Sequence, residues 1–359
     1  MRYFRSPILY VVLVALLLRF GLLFAFNGIT NFDLYSYEKI GQLTLQHIPI
    51  YPLEALKHHP YFPFFLYIES LAVYLASYGI SAIFTIKTIL ILFDIGILCL
   101  VYLLSKKSTV VALLYALNPI SILTVAVHGQ FDAIPLFFLL FGVYMFLERR
   151  EVGAVLLLSL AVMVKTWPLF FIWPMVRRMK QRWQLLLLLT FPLLAVFVYS
   201  RRFYENIFDI FSTVFSYHGY STHWGIGMFI SMLGLGGNGY ILIIIKMLFV
   251  VTFIYFCLTL KKGKIIHEMA LLFLFFYSFS YGMGLQYFSW IIPFLLLDKP
   301  KLWRCFIVLV TFHFLLQYPR WILCIQCNDP ALWVLRMHMI YAMLLWIFIV
   351  YMWFVNLRK

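Results

Sequence analysis

The chain is 359 residues long, 65% hydrophobic and only 11% charged, with a formal net charge of +15. An average soluble domain carries roughly 25% charged residues, so this composition excludes a water-soluble enzyme. Only helices and closed barrels satisfy their own backbone in lipid, and the alternating pattern of a barrel is absent, which leaves an all-α polytopic membrane protein that has no use for nucleic acid.

Apolar runs suited to crossing the bilayer occupy residues 8–26, 84–104, 185–199, 240–260 and 337–355. The first is too long for a signal-peptide core and lacks a small-residue cleavage site, so it is read as a retained helix. A long loop follows, about residues 27–80, holding Asn31-Phe-Asp-Leu-Tyr-Ser-Tyr-Glu38, Ile48-Pro-Ile-Tyr-Pro52 and His58-His-Pro-Tyr-Phe-Pro63. Its opening carboxylate, Asp33, sits where partial desolvation suits a general base; the competing reading is an interfacial loop with Tyr anchors. Next comes Asn118-Pro119 in a helix that ends at His128-Gly-Gln-Phe-Asp132. Those side chains suit sugar hydroxyls, although Asp132 could equally cap the following helix.

Lys165-Thr-Trp-Pro168 then places a cation at depth in an interrupted helix. A phosphate is a natural counter-charge for it, and an ion pair with Asp94 or snorkelling is the plainer alternative. Lys87, Lys246 and Arg19 each read as snorkelling or paired. Further on, Arg201-Arg202 leads into Tyr217-His-Gly-Tyr-Ser-Thr-His-Trp224, and Gln286-Tyr-Phe-Ser-Trp290 precedes Pro293. Arg, His and aromatic side chains suit sugar stacking and phosphate pairing, but Trp and Tyr also gather at any membrane interface. Cys324 and Cys327 make a C-x-x-C without a thioredoxin-like context, either a structural bridge or two idle thiols. No nucleotide-binding motif, zinc-protease motif or internal repeat is present.

With the N-terminus inside, 18 of the 28 Lys and Arg residues fall on the cytoplasmic face, among them Lys107, Arg149, Arg150, Lys180 and Lys262. That is the asymmetry the positive-inside rule expects. It requires residues 61–78 to dip in from outside, 165–176 to return to the cytoplasm and 225–237 to lie at the outer interface. The outcome is about nine or ten crossings, most carboxylates and histidines outside, and a cavity open to the extracytoplasmic face. One integral membrane domain is expected over 1–359, with one module over about 1–200 and C-terminal helices over about 225–359.

Taken in order, Asp33 with Tyr37, His59-Pro-Tyr-Phe-Pro63, Asn118-Pro119, His128-Gly-Gln-Phe-Asp132, Lys165-Thr-Trp-Pro168 with Pro174, Arg201-Arg202 and Gln286-Tyr287 with Trp290 and Pro293 form a recognisable series. The chain resembles the GT-C superfamily of glycosyltransferases, and within it most resembles the GPI first-mannose mannosyltransferase family. The resemblance covers some three quarters of the chain. It implies inverting transfer of a hexose, mannose above all, from a polyprenyl-phosphate sugar to a hydroxyl of a glycolipid or glycan acceptor on the extracytoplasmic face. Asp33 would be the base. Lys165, Arg201 and Arg202 would hold the donor phosphate, and Glu38, His59, His128, Gln130, Asp132, His218, His223, Gln286 and Tyr287 would meet sugar or acceptor.

The family pattern often has two acidic residues at D-x-D spacing, whereas here Leu34 and Tyr35 follow Asp33. Asp33 therefore acts alone or with Glu38, and a divalent metal stays an open expectation. Membrane lipids and a small membrane subunit are the remaining partners the resemblance allows. The compact loops point to a bacterial or archaeal plasma membrane rather than the endoplasmic reticulum. The rival reading is a secondary transporter or a lipid or glycolipid flippase, with Lys165 and Asp94 as a midplane site.

Overall fold

A computed structural model describes residues 7–26, 28, 30–51, 53–216, 224–236, 238–323 and 332–357. All regular secondary structure among the described residues is helical, with no strand, and the chain divides into two compact units, Met1–Tyr217 and His218–Lys359. Five helices are long and apolar enough to cross a membrane: Pro7–Ala25, Ala82–Leu104, Arg182–Phe203, Gly239–Thr259 and Met337–Leu357. They coincide with the five apolar runs of the sequence. A sixth crossing forms if the bent pair Thr109–Ala116 and Pro119–His128, which turns by 46°, counts as one span. The other apolar helical stretches, among them Trp303–Tyr318 within a longer helix, are 10–17 residues long, shorter than the about 20 residues of an upright span. The chain is a multi-pass membrane protein.

In the first unit α1 (Pro7–Ala25) leads to α2 (Phe32–Leu45), α3 (Leu53–His58) and α4 (Phe65–Ala76). Asn31 starts α2: its backbone is extended and its Oδ1 accepts from Leu34 N at 2.9 Å. The second span, α5 (Ala82–Leu104), begins on a Ser81 cap. After α6 (Thr109–Ala116) the chain breaks at Asn118, which caps the four-residue α7 (Pro119–Ile122) through Ile120 N and Ser121 N. Pro119 at the first helical position has no N–H to lose. A π-helix, Leu123–His128, continues α7 and ends on Gly129 at φ +78°. Wide π turns recur at functional sites because they re-aim side chains.

α8 (Ala133–Leu147) and α9 (Glu151–Val164) pack antiparallel, and α9 stops where Lys165 turns extended. Short helical turns, Trp167–Phe171 and α10 (Trp173–Val176), follow. A 3₁₀ segment, Arg182–Leu189, then feeds α11 (Thr190–Phe203), and α12 (Ile207–Ser216) closes the unit. Tyr51, Phe62, Leu66, Tyr199, Phe203 and Ile210 form a buried cluster that fastens the loop elements to α11 and α12.

Two spans share a buried charge network. Arg19 on α1 donates from Nε to Asp94 Oδ2 on α5 at 2.5 Å, from Nη1 to Ala116 O at 3.0 Å and from Nη2 to Ser121 Oγ at 3.0 Å. Tyr115 OH donates to the other Asp94 oxygen at 2.6 Å. The guanidinium thus bridges the break between α6 and α7, taking a carbonyl that the break deprives of its helical partner. Asp94 is therefore the partner of Arg19, so the alternative that paired Lys165 with Asp94 does not hold.

In the second unit α13 (Gly225–Met232), α14 (Gly239–Thr259), α15 (Ile265–Phe279), α16 (Phe288–Asp298), α17 (Trp303–Leu323) and α18 (Leu332–Leu357) succeed one another. Trp224 Nε1 donates to Tyr277 O and Trp346 Nε1 to Ser278 O, both at 2.8 Å, fixing the end of α15. Cys99 and Cys305 are free thiols, while Cys324 and Cys327 lie outside the described residues.

Candidate functional site

The turn 128–132 gathers the candidate site. On one side, Gln130 Nε2 donates to Asp33 Oδ2 at 2.5 Å and His128 Nε2 donates to the same oxygen at 3.1 Å. On the other, Lys165 Nζ donates to Asp132 Oδ2 at 2.9 Å. Gln130 and Asp132 are two residues apart, so one short turn ties the first-loop carboxylate to the cation of the interrupted helix.

Local chemistry explains why the turn holds this shape. Gly129 occupies the left-handed region at φ +78°, and a Cβ there would lie 2.8 Å from Leu34 Cδ2 and 3.2 Å from Lys87 Cε. Glycine is needed both for the backbone and for the close approach of α2. Asn31 Nδ2 donates to His128 O at 2.8 Å, and the buried Lys87 donates to Val127 O at 2.9 Å. Between them they hold both carbonyls that precede Gly129. Phe131 anchors the turn: it stacks on Phe65 at 4.0 Å, meets Tyr37 and Tyr61 edge-on, and lies 3.9 Å beneath Lys165 Nζ. A cation over an aromatic face within about 6 Å is attracted by the ring quadrupole.

Asp33 stands apart from its neighbours by access. Its side chain keeps 33% of its exposure, while His128 keeps 2% and Asp132 none. Both described bonds fall on Oδ2, which leaves Oδ1 as the oxygen that can meet an incoming hydroxyl. Asp33 also lies in the first turn of α2, where the N–H groups of the helix favour a carboxylate. Asp132 occupies the position before α8 without capping it, since no side-chain bond reaches the helix N-terminus there. Its carboxylate serves Lys165 instead, which settles the capping alternative.

Other expected residues sit elsewhere. His59 is buried, with Nδ1 3.4 Å from the equally buried Glu69 Oε2, and its ring packs on Tyr61 at 5.7 Å. It thus packs behind Tyr61, whose ring centroid lies 5.0 Å from Lys165 Nζ. Glu38 lies further along α2, half-buried, and burial pushes its carboxyl up. Arg202 Nη2 reaches His47 Nε2 at 3.1 Å, just beyond the C-terminal end of α2. Fourteen residues of mostly helical chain, about 20 Å, separate His47 from Asp33. Arg201 and Arg202 are exposed and are not brought to the Asp33 cluster.

Gln286 and Tyr287 belong to the second unit, where Tyr277 OH donates to Tyr287 O at 2.6 Å and the Tyr287 ring stacks on Trp290 at 4.1 Å. His218 and His223 lie outside the described residues. Asn31 and Phe131 had no assigned role in the sequence reading, although Asn31 opening α2 and Phe131 inside the turn motif were available signals. Lys87 was read as snorkelling or paired, and its partner is the Val127 carbonyl.

Among the described residues, no three His, Cys, Asp or Glu side chains gather as a ligand set for a metal ion. The Asp33 cluster has one carboxylate, one imidazole and one amide, which suits hydrogen bonding to hydroxyls.

Compared with known families, residues 47–279 match the model of Glycosyltransferase family 87. The chain belongs to glycosyltransferase family 87. No curated protein matches the chain. The family 87 match contains His128, Gln130, Asp132 and Lys165 and begins 14 residues after Asp33. Within this family 87 protein, the two bonds from His128 and Gln130 are what join Asp33 to the matched region.

Proposed function

We propose that this glycosyltransferase moves a hexose, with mannose the leading candidate, from a polyprenyl-phosphate sugar to a hydroxyl of a glycolipid or glycan on the extracytoplasmic face. The observation that carries the reading is Asp33: a partly exposed carboxylate fixed through one oxygen by His128 and Gln130, with the other oxygen open. As the acceptor oxygen bonds to the anomeric carbon and the bond from that carbon to the phosphate breaks, Asp33 Oδ1 takes the hydroxyl proton. Inversion follows from this single displacement.

The phosphate leaves with its electron pair, and Lys165 is the cation proposed to receive it. Only one of its three N–H donors is engaged by Asp132. The aromatic wall of Phe131, Tyr61 and Tyr37 suits the flat face of a sugar ring. Arg201 and Arg202, exposed at the other end of α2, fit a second phosphate or a lipid headgroup better than this one. The transporter reading loses its midplane pair, because Asp94 is committed to Arg19 and Lys165 to Asp132.

Incubating the purified protein with a panel of radiolabelled polyprenyl-phosphate sugars tests the proposal. Consumption of one polyprenyl-phosphate hexose, dependent on an added glycolipid acceptor, is expected. Turnover of a nucleotide sugar with none of the lipid-linked donors consumed would overturn it.

A further inference from the structure

Glu69 is a buried carboxyl group behind the candidate site that the proposed reaction leaves unused. It lies on α4 with no exposure, and among the described residues neither of its oxygens has a hydrogen-bond partner. Gly41 lets α2 close directly on it, since a Cβ there would lie 2.6 Å from Glu69 O. The cations of the neighbouring elements are committed elsewhere: Lys39 to Glu54, Lys87 to Val127 O and Lys165 to Asp132. A carboxylate taken fully out of water with no donor to hold it is costly, and such a group keeps a proton instead.

His59 shows where that proton points. The side chain is as buried as Glu69, and its Nε2 lies 3.5 Å from Phe62 O, an oxygen that can only accept. Nε2 therefore carries the ring hydrogen, and Nδ1 of the neutral imidazole is a lone pair 3.4 Å from Glu69 Oε2. Two acceptors facing each other in a dry interior repel, whereas one proton on the carboxyl turns the same approach into an O–H···N contact. The pair is neutral with that proton and carries a buried negative charge without it.

The pair reaches the site through Tyr61. The His59 ring meets the Tyr61 ring edge-on at 5.7 Å, Tyr61 N donates to His59 O at 2.8 Å, and Tyr51 OH donates to Tyr61 O at 2.6 Å. The Tyr61 ring so placed meets Phe131 edge-on and lies 5.0 Å from Lys165 Nζ. The Tyr37 phenol is within electrostatic reach of Asp33, Glu69 and Asp132 alike, so the pair stands in the wall of the same site. We propose that Glu69 and His59 are positioning residues: the protonated Glu69 donates to His59 Nδ1, which fixes the ring that seats Tyr61 beneath Lys165. This rests on the reading of Lys165 as the group that receives the donor phosphate.

Infrared difference spectra of the full chain, with its affinity for sugar-free undecaprenyl phosphate, test this. The spectrum of wild type minus Glu69→Gln should show the C=O band of a protonated carboxyl group, shifting in D₂O. Glu69→Gln puts an N–H donor where the proton was, so it should bind undecaprenyl phosphate within about threefold of wild type. Glu69→Leu, which leaves Nδ1 without a donor, should bind it about tenfold or more weakly, and so should His59→Phe, which keeps a ring but removes the acceptor. Carboxylate bands alone in the difference spectrum, Glu69→Leu or His59→Phe binding as tightly as wild type, or Glu69→Gln as weak as Glu69→Leu would each overturn the proposal. A wild type with no affinity for undecaprenyl phosphate would remove Lys165 as the phosphate-receiving group, and the role of the pair with it.

Discussion

At the scale of single residues, the candidate base is held by neighbours that are themselves buried and paired. His58 belongs to this shell: its Nδ1 meets Ser36 Oγ at 2.8 Å, and its ring stacks on Phe32, the residue before Asp33, at 5.4 Å. Burial lowers its basicity, with Lys39 and Lys57 acting in the same direction against Glu54. The folded state therefore binds the proton less readily than the unfolded chain, whose His titrates near 6.5. It follows that the seat of α3 on α2 is intact above about pH 6.5 and weakens as pH falls below it. Hydrogen exchange of the α3 amides should speed up between pH 7 and pH 5 in wild type, after correction for intrinsic rates, and much less in His58→Gln. Equal acceleration in both proteins would remove His58 from this role. The same scale shows where the sequence was hard to read. Lys165 had several carboxylates within plausible reach, and only the fold of the turn after His128 decides that Asp132, two residues beyond Gln130, is its partner.

At the scale of elements, the decisive piece is the π-helix and the turn that follows it. His128, Gly129, Gln130, Phe131 and Asp132 are contiguous, so their joint importance was legible in the sequence. What each side chain reaches was not, because the extra width of the π turn sets the direction in which His128 leaves the helix. A side chain at Gly129 would be strained by about 1–2 kcal/mol in the left-handed region, and its Cβ would also meet Leu34 of α2. Gly129→Ala should therefore push α2 away and lower kcat at least tenfold, with a fall in melting temperature of only a few degrees. Thermal unfolding and steady-state kinetics of the variant check this. Unchanged kcat would mean that the approach of α2 to the turn does not matter for turnover. Arg201-Arg202 marks the limit of element-level reading: two adjacent arginines after a span suggest a phosphate site, but α11 delivers Arg202 to His47 at the wrong end of α2.

At the scale of the whole molecule, composition and apolar runs were enough for fold class and for the five long spans. The number of crossings was less legible, since several helices near the site are 10–17 residues long and broken by Asn, Pro or an extended Lys165. Such interruptions are tolerated at membrane depth only where protein or a wet cavity covers the freed backbone groups, as Arg19 does at the α6–α7 break. The sidedness expected from the charge asymmetry can be tested within the first unit. Cysteines placed at Lys57 and Lys107, both exposed, should react with an impermeant thiol reagent in intact cells at position 57 and only after permeabilisation at position 107. The opposite pattern would put the Asp33 cluster on the cytoplasmic face.

The account rests on Asp33 as the group that accepts the proton. Asp33→Asn keeps the size of the side chain and an oxygen for His128 and Gln130 to bond, while removing the base. The most direct measurement is kcat of Asp33→Asn with its lipid-linked donor, alongside donor affinity measured on the same preparation. A fall in kcat of about 100-fold or more with donor affinity within about threefold of wild type is predicted. Turnover near the parental rate in Asp33→Asn, with Glu38→Gln or Asp132→Asn inactive, would contradict the assignment and move the base to that residue.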